Sequence, residues 1–83
     1  MEQVIKQVKG NKFIYTFKGE VVRTSTRDFK YACIAKVRCC EDANEKYWGV
    51  EMVASLGNNP ESTKRSMAIR YAHYCDLYIV EIR

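Results

Sequence analysis

Apolar and polar positions alternate with period two through the first quarter of the chain. Val4–Lys9 and Lys12–Lys18 read as β-strands, joined at Gly10-Asn11, a pair that signals a two-residue hairpin. In the second run Phe13, Tyr15 and Phe17 fall on one side, and Lys12, Ile14, Thr16 and Lys18 on the other. Three aromatics on one face predict a half-buried strand. Gly19-Glu20 is expected to turn the chain again, with Val21–Ser25 returning as a short strand.

The stretch from Asp28 to Cys40 fits two patterns. As a helix, Ser25 caps it, Asp28 follows three residues on, and Phe29, Cys33, Val37 and Cys40 form a stripe. As a strand, Tyr31, Cys33, Ala35 and Val37 face inward, while Lys30, Lys36 and Arg38 face outward with Ala32 and Ile34. The strand is preferred. Glu41–Glu45 reads as a polar turn. Lys46–Ser55 reads as a further strand, with Trp48, Val50, Met52 and Ala54 on one face.

Leu56-Gly57-Asn58-Asn59-Pro60 is the sharpest break. Asn59 is an N-cap residue, Pro60 suits the first helical position, and Glu61 suits the positive end of the helix dipole. A helix is predicted from Pro60 to about Tyr74, docking through Met67, Ala68, Tyr71, Ala72 and Cys75. Leu77–Ile82 is apolar on both faces and predicts a strand placed centrally or under the helix. The expected fold is α+β: one mostly antiparallel sheet of four to five strands with one helix on one face, in the order β-β-β-β-α-β.

Length and composition narrow the class. The chain has 83 residues, 47% hydrophobic and 29% charged, which fits one small domain (1–83) and excludes disorder. No apolar run approaches the ~18 residues of a membrane span. Met1 and Glu2 open the chain without a leader-like segment. A cytoplasmic protein is expected. In that compartment Cys33, Cys39, Cys40 and Cys75 stay reduced. None of them forms a C-x₂₋₄-C pair, and free cysteines read as small buried hydrophobes. No metal and no cofactor are expected.

Charge changes the functional picture. Residues 1–40 carry nine Lys and Arg against three Asp and Glu, and residues 41–83 carry five against seven. Pairing Lys12 and Lys18 with Lys30, Lys36 and Arg38 in one sheet would make a basic face, with Arg23 and Arg27 at its margin. Such a face attracts an acidic protein or a phosphate backbone. Six Tyr and one Trp supply interface anchors, Tyr47, Tyr74 and Tyr78 foremost. An edge strand would also permit a homodimer. His73 is the single histidine, Cys75 lies two residues away, and no nucleophile or phosphate-loop motif occurs, so catalysis is not expected.

The segment Gly19-Glu20-Val21-Val22-Arg23-Thr24-Ser25-Thr26-Arg27-Asp28-Phe29-Lys30-Tyr31-Ala32 resembles a stretch in small phage-encoded accessory proteins. That resemblance implies counter-defence action, as in CRISPR inhibitors, by occluding a host complex in the host cytoplasm. The expected function is a non-catalytic inhibitor or modulator of a larger intracellular complex, one that may handle nucleic acid. The alternative is a direct single-stranded nucleic-acid binder.

Overall fold

A computed structural model describes residues 3–83. The reading of Met1 and Glu2 lies outside them. Six strands and one α-helix follow in order: β1 (Val4–Lys9), β2 (Lys12–Phe17), β3 (Glu20–Ser25), β4 (Tyr31–Val37), β5 (Glu51–Gly57), α1 (Pro60–Tyr71) and β6 (Cys75–Glu81), with a 3₁₀ turn at Glu45–Tyr47. The class is α+β, as expected. The single sheet is replaced by two antiparallel sheets of three strands, in the orders β1-β2-β3 and β5-β4-β6.

The two sheets pack face to face. Val4, Tyr15, Phe17 and Phe29 from the first meet Ala32 and Ile34 of β4, flanked by Val53, Tyr78, Val80 and Ile82. Ala35, Val37 and Cys75 point the other way, towards Tyr71 and Tyr74. The layers are therefore sheet, sheet, helix. Strand β4 is central and buried on both faces, with Lys36 its one exposed residue. This corrects the outward placement of Ala32 and Ile34: a second sheet covers the face that one-sheet reasoning left to solvent. Asp28–Cys40 is a strand at its centre and not a helix. Strand β6 lies against α1, one of the two positions expected for it.

The sheets join at the chain's end. The Arg83 N–H donates to the Val4 carbonyl at 2.9 Å, and the Lys6 N–H donates to the Arg83 carbonyl at 2.7 Å. Strands β3 and β5 are left with one neighbour each. Both carry an irregularity: the β2–β3 register slips at Val22, and the β4–β5 register slips at Ala54. Bulges twist an edge away from a flat partner strand, a device against edge-to-edge association.

Local chemistry accounts for the turns and the helix. The β2–β3 turn is Lys18-Gly19, one residue earlier than expected, with φ of 52° and 81°. Positive φ at both central residues is the I′ requirement that matches strand twist. At α1 the Asn59 side chain accepts from the Ser62 N–H at 3.1 Å, and Pro60 occupies the first turn. The helix stops at Tyr71, short of Tyr74, because Arg38 intervenes. Its guanidinium donates to the Ala72 carbonyl at 2.6 Å, and its N–H donates to the Tyr74 carbonyl at 2.8 Å. Ala72, expected to dock, is exposed, and Thr63 is the buried helix residue. Among the described residues no helix is long and apolar enough to cross a membrane.

Candidate functional site: an aromatic recess at one end of the second sheet

The basic residues do not assemble on one face. Lys12, Lys18 and Arg23 belong to the first sheet, and Lys30, Lys36 and Arg38 to the second or its margins. The expected common face assumed one sheet, and the β4 face that would have joined them is the core. Each cation has its own surroundings. Lys12 sits beside the first turn, paired in register with Lys9. Lys18 lies 3.5 Å from Glu51 and over the Phe17 ring at 5.5 Å. Arg23 and Arg27 both lie over Phe29, at 5.1 and 5.5 Å from the ring centroid. The Lys30 N–H donates to the Asn58 Oδ1 at 3.0 Å. Lys36 stands in register with Glu51 and Asp76. Arg38 is committed to the end of α1 and lies 3.9 Å from Asp76.

The tyrosines divide two to one. Tyr47 and Tyr74 line the same recess of about 280 Å³, together with Val37, Ala43 and Met52. Tyr78 faces the inter-sheet side, and its hydroxyl donates to the Glu51 carboxylate. Burial and that bond push its pKa up to about 12. Burial also raises the Tyr74 hydroxyl, so Tyr74 stays neutral at physiological pH and presents an uncharged wall.

Loop chemistry holds the recess open. The Asn44 side chain accepts from the Lys46 N–H at 3.1 Å and starts the 3₁₀ turn. The Trp48 indole N–H donates to the Ala43 carbonyl at 3.0 Å. Tyr71 and Tyr74 meet edge to face, with ring centroids 6.0 Å apart. Around this frame Tyr47, Trp48, Val50 and Met52 are 50%, 39%, 40% and 38% exposed. Four large apolar side chains in six residues form a contiguous patch on one rim, not the scattered exposure normal for a surface. Lys46 lies over the Tyr47 ring at 5.0 Å, and Asp42 completes the lining. Trp48 and Val50 were expected on a strand running Lys46–Ser55. The chain instead loops there, which releases them from the sheet. The patch was missed because period-two reading assigned them to a packed face.

The remaining candidates are structural. Cys33 and Cys75 are buried, with thiol pKa values raised chiefly by desolvation. Cys39 is exposed and Cys40 half-buried. His73 is exposed in the turn after α1, whereas Cys75 is buried at the start of β6. Among the described residues no three His, Cys, Asp or Glu side chains are grouped to hold a metal. No protein-family model matches the chain, and no curated protein or solved structure matches it either.

Proposed function

We propose that this chain is a non-catalytic binding protein that inhibits or modulates a larger intracellular complex by docking on one of its protein subunits. The carrying observation is the Tyr47–Tyr74 recess with its exposed Tyr47, Trp48, Val50 and Met52 rim. Its volume suits one large apolar side chain of a partner. Tyr and Trp dominate interface hot spots because each offers a large apolar surface at low conformational cost. Lys46 and Asp42 supply the polar margin that fixes orientation. The bulged edges of β3 and β5 favour contact through side chains over strand addition. The resemblance of Gly19–Ala32 to phage accessory proteins supports action by occlusion, with a host counter-defence target as its finer form.

Direct binding of single strands on the sheet has less support. Tyr15 and Phe17 are buried between the sheets, so they offer no stacking surface to bases. The test is capture of partners from a nuclease-treated host lysate by the parent chain and by Tyr47→Ala and Met52→Asp variants. The expected outcome is a protein partner held by the parent after nuclease and lost from both variants. A partner retained by both variants, or released by nuclease, overturns the reading.

A further inference from the structure

We infer that Arg23 and Arg27 form a receptor for a phosphate-class oxyanion, independent of the aromatic recess. The two sites lie at opposite ends of β4, about 20 Å apart for seven residues of strand. Both guanidinium groups rest on the buried Phe29 ring. The ion pairs among the described residues are Lys6–Asp28, Lys18–Glu51 and Arg38–Asp76, so neither arginine has a carboxylate partner there. Two cations on one ring lie within about a Debye length of each other and repel with little screening. Asp28, the nearest acid along the chain, would neutralise them, but its carboxylate is turned to Lys6.

The loop that presents Arg27 is already fixed. The buried Tyr15 hydroxyl donates to the Arg27 carbonyl at 2.7 Å and accepts from the Phe29 N–H at 2.8 Å. The Ser25 hydroxyl accepts from the Arg27 N–H at 3.1 Å. A ligand therefore meets an ordered cation, without the ordering cost a mobile loop would add. Beside it opens a recess of about 480 Å³, lined by Arg27, Phe29, Asn58, Asn59 and Ser62 and by no acidic residue. The Oδ1 atoms of Asn58 and Asn59 accept from Lys30 and Ser62. Their amide N–H groups have no acceptor among the described residues and remain as donors. The Ser62 and Thr63 N–H groups at the start of α1 are already bonded to Asn59. The site thus rests on the arginines and amides, not on the helix end.

Phosphate fits this arrangement better than carboxylate does. One guanidinium fork saturates both carboxylate oxygens, whereas a phosphate has oxygens for two guanidinium groups and amide donors at once. A free phosphate compound and a nucleic-acid backbone present the same group. The buried Phe29 ring excludes base stacking, so a backbone would be held without regard to sequence.

The test follows the arginine Nε–Hε resonances of the full chain during titration with inorganic phosphate, a short oligothymidylate and polyglutamate at constant ionic strength. Saturating shifts of Arg23 and Arg27 are expected with phosphate. Shifts with phosphate alone indicate a free phosphate compound, and shifts with the oligonucleotide as well indicate a backbone. Arg27→Lys keeps the charge and loses the fork, so it should weaken binding about ten-fold, while Arg65→Gln on the exposed side of α1 leaves it unchanged. No shift with phosphate or oligonucleotide overturns the inference. So do equal shifts with polyglutamate, or an equal loss in Arg65→Gln.

Discussion

Gly57 lies directly beneath Thr63, and a Cβ built on Gly57 would run into the Thr63 hydroxyl oxygen. That hydroxyl cannot swing away freely, because it donates to the Asn59 carbonyl at 2.6 Å. The first turn of α1 thus sits on the end of β5 at a distance only glycine allows. Gly57→Ala is expected to destabilise the fold by about 2 kcal/mol. Adding Thr63→Ala removes the clashing atom, so the double variant should recover part of the loss. Urea unfolding of the two single variants and the double variant checks this through their coupling.

How much of this was legible in the sequence differs by level. The Phe13–Tyr15–Phe17 face, the Gly10-Asn11 turn and the Asn59-Pro60 helix start were readable, because each depends on neighbouring residues. The split into two sheets was not. Nothing in the alternation of Tyr31–Val37 says that both faces are covered, since Ala32 and Ala35 are small enough to suit either environment. The basic face failed for the same reason, because it depended on which strands share a sheet. Tyr47 and Tyr74 were legible as interface anchors, but their meeting at one recess depends on contacts between residues far apart in the chain.

The Tyr15 hydroxyl bridges two main-chain groups of the Arg27–Phe29 loop from a fully buried position. Tyr15→Phe leaves the Phe29 N–H without its partner and should cost about 1–3 kcal/mol. Faster amide exchange at Phe29, with the rest of the core protected, would mark the loss as local. Unchanged melting and exchange would count against the bridge as a support.

Lys18 adopts φ 52°, a conformation costly for a residue with a Cβ. Lys18→Asn should stabilise the chain by about 0.5–1 kcal/mol, since Asn tolerates this region and only an exposed ion pair with Glu51 is lost. A lower melting temperature for Lys18→Asn would show that the pair outweighs the strain.

Glu51 and Tyr78 make stability depend on pH at both extremes. The Tyr78 hydrogen bond, more than the charges of Lys18 and Lys36, holds the Glu51 carboxyl below its usual 4.5. A lowered acid contributes stability above its unfolded pKa and loses it as pH falls through the folded one. Tyr78, raised from 10 to about 12, contributes stability below pH 10 and loses it as pH rises towards 12. Glu51→Gln should flatten the acid limb of a stability–pH curve and shift the alkaline limb to lower pH. An unaltered curve would show that the pair does not couple to folding.

Charge reversal at Lys36 and Arg38 separates surface electrostatics from structure. Lys36 stands between Glu51 and Asp76 in the sheet register. Arg38 donates to the Ala72 carbonyl, where the negative end of the α1 dipole favours a cation. Exposure alone would make both reversals harmless. Their surroundings make them costly. Lys36→Glu brings a third carboxylate to one row, and like charges directly opposite destabilise a sheet. Arg38→Glu sets an anion against the Ala72 carbonyl and Asp76, and should cost about 1–2 kcal/mol. Conservative replacements discriminate: Arg38→Lys should keep most of the stability and Arg38→Gln less, because the carbonyl contact needs a cationic donor. Thermal melts at low and high salt complete the test, since screening should reduce the Arg38→Glu penalty. If Arg38→Glu melts with the parent at low salt, Arg38 is an ordinary surface charge and the end of α1 is held by packing on Tyr71 and Tyr74 alone.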